Sequence, residues 1–207
     1  MEEIYFSQYA NNPTEKTINK YLMKNPNIET GTYIDIGACH PIKISNTYWY
    51  YTKGWNGLLI EPFAGYHKSI QALRPRDILE PVAITDYNGE IEMCCTTTVG
   101  SEAGDRFKAD PNYQYGLYTA KCMTIDSLIE KYPQFKEPDF LNIDIESNEE
   151  KALSKCNFAI FKPKVICIEF LCGKHDYHKI LEPYLLPYYE FKEDVTSDAF
   201  YVRKELK

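Results

Sequence analysis

Acids that close short apolar runs are the residues of this chain best placed to do chemistry. YIDIGA (33–38) carries Asp35 two positions before Gly37, GLLIEP (57–62) stops at Glu61, FLNIDIE (140–146) ends in Asp144 and Glu146, and KVICIEF (164–170) brings Glu169. A glycine followed by a small residue lets a ligand approach the backbone closely. An ionised carboxylate at the tip of a second strand accepts two O–H donors, as the hydroxyls of a ribose would supply. Taken singly, the glycine is a turn and Glu61 an exposed strand end. Taken together, glycine turn, crossover and strand-end acid stand in the order of a nucleoside site.

The loop after that glycine reads G-A-C-H-P and lacks the further glycines of G-x-G-x-x-G. Pyrophosphate is therefore disfavoured, and an adenosine cofactor without phosphates, S-adenosylmethionine, fits better. Asp144 and Glu146, related as i and i+2, share one face if their strand continues that far. With Glu169 they bring three acids to one edge of a sheet. A sugar hydroxyl is a poor nucleophile, and two mechanisms would help it. Asp144 or Glu146 acts as general base within about 3 Å of its proton, or the acids with His175 hold Mg2+ through hard oxygen ligands. The plainer alternatives are that Glu146 complements the dipole of the following helix and that Glu169 pairs with a nearby Lys. His40, inside the glycine loop, is a candidate contact for cofactor or acceptor, against the plain alternative of a solvated loop histidine. Trp49 and Trp55 read as core.

The elements that must position these residues follow from periodicity. The four apolar runs are too short for helices and do not alternate strictly, the pattern of strands buried on both faces of a parallel sheet. Helix-like segments, 65–74, 147–155 and 175–186, follow the second, third and fourth runs. Alternating strand and helix predicts a doubly wound α/β sheet built from right-handed crossovers. Ser147 with Glu150 forms a capping box that starts a helix directly after the third run. PTEKTINKYLMK (13–24) is an amphipathic helix within an N-terminal extension spanning 1–30. DILEPVAI reads as one further strand, DYNGE as a turn and EIEMCCTTT as a strand; 99–116 is a loop or lid. YTAKCMTIDSLIEKY supplies a strand and a capped short helix. Residues 188–204 form two strands around a tight turn at Thr196–Asp198, an antiparallel pair closing the sheet edge.

A chain of 207 residues predicts a single domain. A net charge of -7 without a basic block excludes the electrostatic footprint of a duplex binder, so no nucleic-acid partner is expected. The N-terminus shows no basic and apolar leader, and no window approaches the ~20 apolar residues of a membrane span, which places the chain in the cytoplasm. Seven cysteines, mostly inside apolar runs and without a CxxC pair, point to reduced thiols rather than a disulfide framework or a zinc site. Eighteen tyrosines suit a groove for a polyhydroxylated ligand, and equally a tyrosine-rich core.

DIGACHPIKISNTYWYYTKGWNGLLIEP, FLNIDIESNEEKAL and the KVICIEF strand resemble the FkbM family of S-adenosylmethionine-dependent methyltransferases, a branch of the class I methyltransferase fold. The likeness runs from about Tyr33 to Arg203. Its most specific parts are D-x-G-A-x-x-P, S-N-T-Y with a following G-W, and I-D-I-E before a helix. The resemblance implies a mostly parallel seven-stranded Rossmann-like sheet with helices on both faces, the cofactor at its carboxyl edge, and O-methylation of a sugar, glycan or sugar-bearing metabolite. It also implies that Asp35, Gly37 and Ala38 face the methionine part of the cofactor and Glu61 its ribose, with Pro62, Ala83 and Asp144 beside them. Ser45, Asn46 and Tyr48 fall within the likeness as acceptor-side candidates, Asn46 also counting toward the cofactor, and His40 and His175 complete the acceptor side. Ser147 stands where the family commonly has Gly. Two rivals are a nicotinamide-dependent sugar oxidoreductase, against which the single glycine argues, and a non-catalytic binding module that retains the fold.

Overall fold

The computed structural model describes residues 13–22, 30–95, 100–102, 117–146, 148–170 and 174–204. In chain order the elements are α1 (Pro13–Leu22), β1 (Thr32–Ile36), α2 (Tyr48–Thr52), β2 (Asn56–Ile60), α3 (Ala64–Leu73), β3 (Ile78–Glu80), β4 (Ala83–Ile84), β5 (Gly89–Cys95), β6 (Gly100–Glu102) and β7 (Leu117–Met123). There follow α4 (Ile125–Lys131), a 3-10 turn (Pro133–Phe135), β8 (Phe140–Ile143), α5 (Glu149–Ser154), β9 (Val165–Glu169), α6 (Lys174–Leu185), β10 (Tyr189–Val195) and β11 (Asp198–Arg203).

Among the described residues, seven strands form one sheet in the order β10-β11-β9-β8-β1-β2-β3. The strands from β3 to β9 pair in parallel, and β11 pairs antiparallel with both β9 and β10. The expected doubly wound sheet with its C-terminal antiparallel hairpin is therefore present. Its central strands are apolar throughout because both faces are covered. Tyr33, Leu59, Phe140 and Cys167 face a cluster with Ile18 of α1, Tyr50 of α2 and Ile70 of α3. Their neighbours Ile34, Leu58, Leu141 and Ile166 face the opposite cluster, with Leu128 of α4, Leu153 of α5 and Leu181 of α6. Two helical layers thus take alternate side chains of one strand, as the period of two requires.

From β1 the chain winds outward through β2 and β3, then returns as β8 on the other side of β1. Strand order reverses there, and open α/β sheets bind ligands at the carboxyl ends beside such a reversal. Ile36 is in register with Ile60 and with Ile143. Gly37, Glu61 and Asp144, the next residues of β1, β2 and β8, consequently leave the sheet at one level.

A second, four-stranded sheet has the order β4-β7-β5-β6. DILEPVAI is not one strand: it divides into β3 of the first sheet and β4 of the second, and Pro81, with no N–H for a ladder, sits at the break. The helix after β8 also starts differently from the capping-box expectation. Asn148 is the N-cap residue and makes no side-chain cap hydrogen bond, while Glu149 turns back to accept the Ile145 N–H at 3.1 Å. Ser147 lies outside the described residues, as does most of the expected lid at 99–116; within that stretch β6 pairs with β5. The capped helix after β7 forms as read, Thr124 accepting the Ser127 N–H at 3.1 Å. No helix among the described residues is long and apolar enough to cross a membrane.

Candidate active site

The site is built where β1, β2 and β8 end. Gly37 has φ +90°, and a Cβ on it would lie 1.8 Å from the Asp144 carbonyl oxygen, so only glycine lets the ends of β1 and β8 pass this closely. Its N–H and that of Ala38 both donate to the Ile60 carbonyl, at 3.0 and 3.1 Å, which turns the chain across the tip of β2. Cys39 follows with φ 48° and donates its N–H to Glu61 Oε2 at 2.7 Å; Phe63 N–H donates to Oε1 at 2.7 Å. Glu61 is 5% exposed. Burial raises its pKa to about 7, against the opposing pull of the two N–H donors.

Above these residues opens a cleft enclosing about 670 Å³ of empty space, part of it continuous with solvent. Gly37, Glu61 and Pro62 line it from the first sheet, Val82 and Ala83 from the segment that enters the second, and Ile91 and Met93 from β5. Asp144, Ile145, Glu146 and Asn148 line the far side. The carboxyl oxygens of Asp144, Glu146 and Glu169 fall within 4.8 Å of one another, close enough in principle to ligate one hard cation. Burial first, then a hydrogen bond with Glu169 and the charges of Glu169, Glu146 and Glu149, push the Asp144 pKa far above the usual carboxylate range. Asp144 therefore holds its proton far more tightly than an ordinary aspartate, with the hydrogen bond to Glu169 as one cause. Glu146 sits on a left-handed turn with φ 57°, a costly backbone for a residue other than glycine.

Gly37, Glu61, Pro62, Ala83, Asp144 and Glu146 are thus brought together around the cleft. The other described candidates are not among the residues lining it. Asp35 is 2% exposed, with Oδ2 accepting from Thr47 Oγ1 at 2.5 Å and Oδ1 from Asn142 Nδ2 at 2.9 Å. Ala38 packs in the cluster under α2. His40 Nδ1 accepts the N–H groups of Ile42 and Lys43, at 3.1 and 3.0 Å, so the ring organises its own loop. Burial and then Lys43 lower its pKa. Ser45 Oγ accepts the N–H groups of Thr47 and Tyr48, at 3.3 and 3.1 Å, and so starts α2. Asn46 donates to Asn142 Oδ1 at 3.0 Å, and Tyr48 stacks on Tyr51. The His175 side chain lies outside the described residues. Cys39, Asn148, Ile91 and Met93 in the lining, and Thr47, Asn142 and Arg74 behind it, are participants that sequence reasoning missed. Asn142 had a signal, since it alternates with Asp144 on one strand; Arg74 read only as the tail of a helix.

A family profile described as Methyltransferase FkbM domain matches residues 35–192. No curated protein matches the chain in sequence. Among solved structures, a TehB-like SAM-dependent methyltransferase from Corynebacterium glutamicum is 13% identical with a TM-score of 0.48, the match covering 98% of this chain and 97% of that one. The C-terminal domain of precorrin-6Y C5,15-methyltransferase from Rhodobacter capsulatus is 10% identical, with a TM-score of 0.45 and coverage of 93% and 89%. The 1,6-didemethyltoxoflavin-N1-methyltransferase of Burkholderia thailandensis, solved with S-adenosylhomocysteine bound, is 6% identical, with a TM-score of 0.46 and coverage of 98% and 87%.

Proposed function

The chain belongs to the FkbM methyltransferase domain family, and from there we propose that it methylates a hydroxyl of a sugar, glycan or sugar-bearing metabolite in the cleft where β1, β2 and β8 end. The observation that supports this most is Glu61, a buried strand-tip carboxylate facing that cleft. Each of its oxygens takes one backbone N–H and keeps a lone pair for a ribose hydroxyl. The residues present fit S-adenosylmethionine. Glu61 would orient the ribose, Pro62, Val82 and Ala83 offer an apolar wall for the base, and the bend at Gly37 offers backbone to the remainder.

When bound, this cofactor would supply an electrophilic methyl carbon for an acceptor oxygen in line with its bond to sulfur, with S-adenosylhomocysteine as the leaving group. The chain's own residues supply the rest. Asp144, its proton held toward Glu169, offers its remaining acceptor capacity to a hydroxyl of the acceptor, and Glu146, in the cleft lining beside it, takes the proton of the reacting hydroxyl. Their carboxyls sit near enough to act on neighbouring oxygens of one polyol. A nicotinamide-dependent reaction loses its support once the family is a methyltransferase family, and a non-catalytic module would bind without turnover.

Calorimetry with S-adenosylhomocysteine, followed by methyl transfer from labelled S-adenosylmethionine to a panel of methyl glycosides, tests the proposal. Binding and an alkali-stable methyl ether are expected. Glu146→Gln should keep S-adenosylhomocysteine affinity and lose turnover by about 100-fold or more. Absence of binding at millimolar ligand sinks the cofactor assignment; binding without methyl ether from any glycoside, with transfer only to added carboxylic acids or amines, sinks the hydroxyl acceptor.

A further inference from the structure

Beneath the cleft lies a polar network that the proposed chemistry leaves unused. Arg74, just past α3, is 0% exposed. Its Nε donates to Asp77 Oδ2 at 2.7 Å, and Nη2 donates to the Tyr33 hydroxyl and to Thr47 Oγ1, each at 2.9 Å. Nη1 donates to Ser45 Oγ at 3.3 Å and to the Pro41 carbonyl at 3.4 Å. Thr47 passes the link to Asp35, Asp35 shares Asn142, and Asn142 accepts from Asn46. One buried guanidinium therefore ties the loop after β1, at three positions, to β1 and β8.

That loop needs an external hold. Its backbone is left-handed at Gly37, at Cys39 and at Ile44, the last a β-branched residue with φ 60° that is 85% exposed and so gains little by burial. Strained conformations of this kind persist only where the surroundings over-determine them. Glu61 grips the start of the loop through the Cys39 N–H, and Arg74 grips its end. Burying a guanidinium is tolerated because Asp77 and Asp35 offset its charge, and its planar fork serves five acceptors at once, more than the three N–H donors of an ammonium can.

We infer that Arg74 is a positioning residue for the cofactor site: through Ser45 and Thr47 it holds residues 38–47 on the strained path that presents the Cys39 N–H to Glu61. The inference rests on reading the cleft as the cofactor site. Arg74→Met removes every donor. Thr47→Val breaks the relay to Asp35 while leaving the Arg74–Asp77 pair in place, and serves where Arg74→Met does not fold. Arg74→Lys keeps the charge without the fork. S-adenosylhomocysteine affinity by calorimetry and amide exchange by mass spectrometry are read on each.

If the loop holds its competent path a tenth of the time, affinity falls about tenfold. Exchange should rise across 38–47 and stay unchanged in β8 and β9, saturating S-adenosylhomocysteine should restore loop protection, and Arg74→Lys should recover little of the affinity. A folded Arg74→Met or Thr47→Val protein with unaltered affinity and loop exchange overturns the inference, as does a loss of protection spread evenly through the sheet. If the unaltered protein binds no S-adenosylhomocysteine, the reading of the cleft fails separately, and loop exchange alone still decides the role of Arg74.

Discussion

Glu61 ties a titration to a binding event. Its carboxyl is raised to about 7 by burial, and only the ionised form accepts two hydroxyl donors. S-adenosylhomocysteine affinity should therefore be greatest above pH 7 and fall roughly tenfold per unit below it. Glu61→Gln should bind at least about tenfold more weakly at pH 8, losing charge-assisted hydrogen bonds, and should show a flat profile; a wild-type profile in this variant would remove Glu61 from the site. Strand-end acids were legible at this scale, because Asp144, Glu146 and Glu61 each end an apolar run and the parallel register levels those ends. Partners were not. Asp35 looks like a site residue in sequence, yet its surroundings come from Thr47, Asn142 and Arg74, which no local spacing links to it.

Elements tell a similar story with α1. Glu15 on this helix is 5% exposed, and its Oε1 has no hydrogen-bond partner among the described residues. Burial lifts its pKa from the ordinary 4.5 to about 7. A carboxyl raised in the fold contributes stability that is complete below pH 4.5 and is lost as pH climbs through about 7. Glu15→Gln, which cannot ionise, should stabilise the protein by about 1–3 kcal/mol at pH 8 and change little at pH 4.5, measured by urea unfolding; equal effects at both pH values would contradict this account. The strands at 33–36, 57–60, 140–143 and 165–169 were readable because burial on both faces leaves an apolar run. In contrast, α2, with the sequence YWYYT, shows no amphipathic period; it forms because Ser45 Oγ accepts the Tyr48 N–H at its start and the Tyr50 ring packs on Trp55 and Phe140. The departure at DILEPVAI belongs here too, since a proline between two β-prone pieces does not say which sheet each will join.

Across the whole molecule, the cleft has walls from two sheets. Ile91 and Met93 of β5 line it opposite the ends of β1 and β8, and Phe63 meets Tyr118 of β7 with ring centroids 5.6 Å apart. Ligand binding should consequently slow amide exchange in β5 and β7 together with residues 37–47. Protection confined to the first sheet would show that the second is no wall of the site. The placement of β11 has another consequence. It is the last strand of this sheet in chain order, yet it has neighbours on both sides, and Asp198 at its start receives the Thr14 hydroxyl at 2.6 Å from α1. Without β10 and β11 the β9 edge of this sheet is open and α1 lacks the carboxylate that receives Thr14, so pairing of the hairpin and seating of the first turn of α1 belong to one closing step.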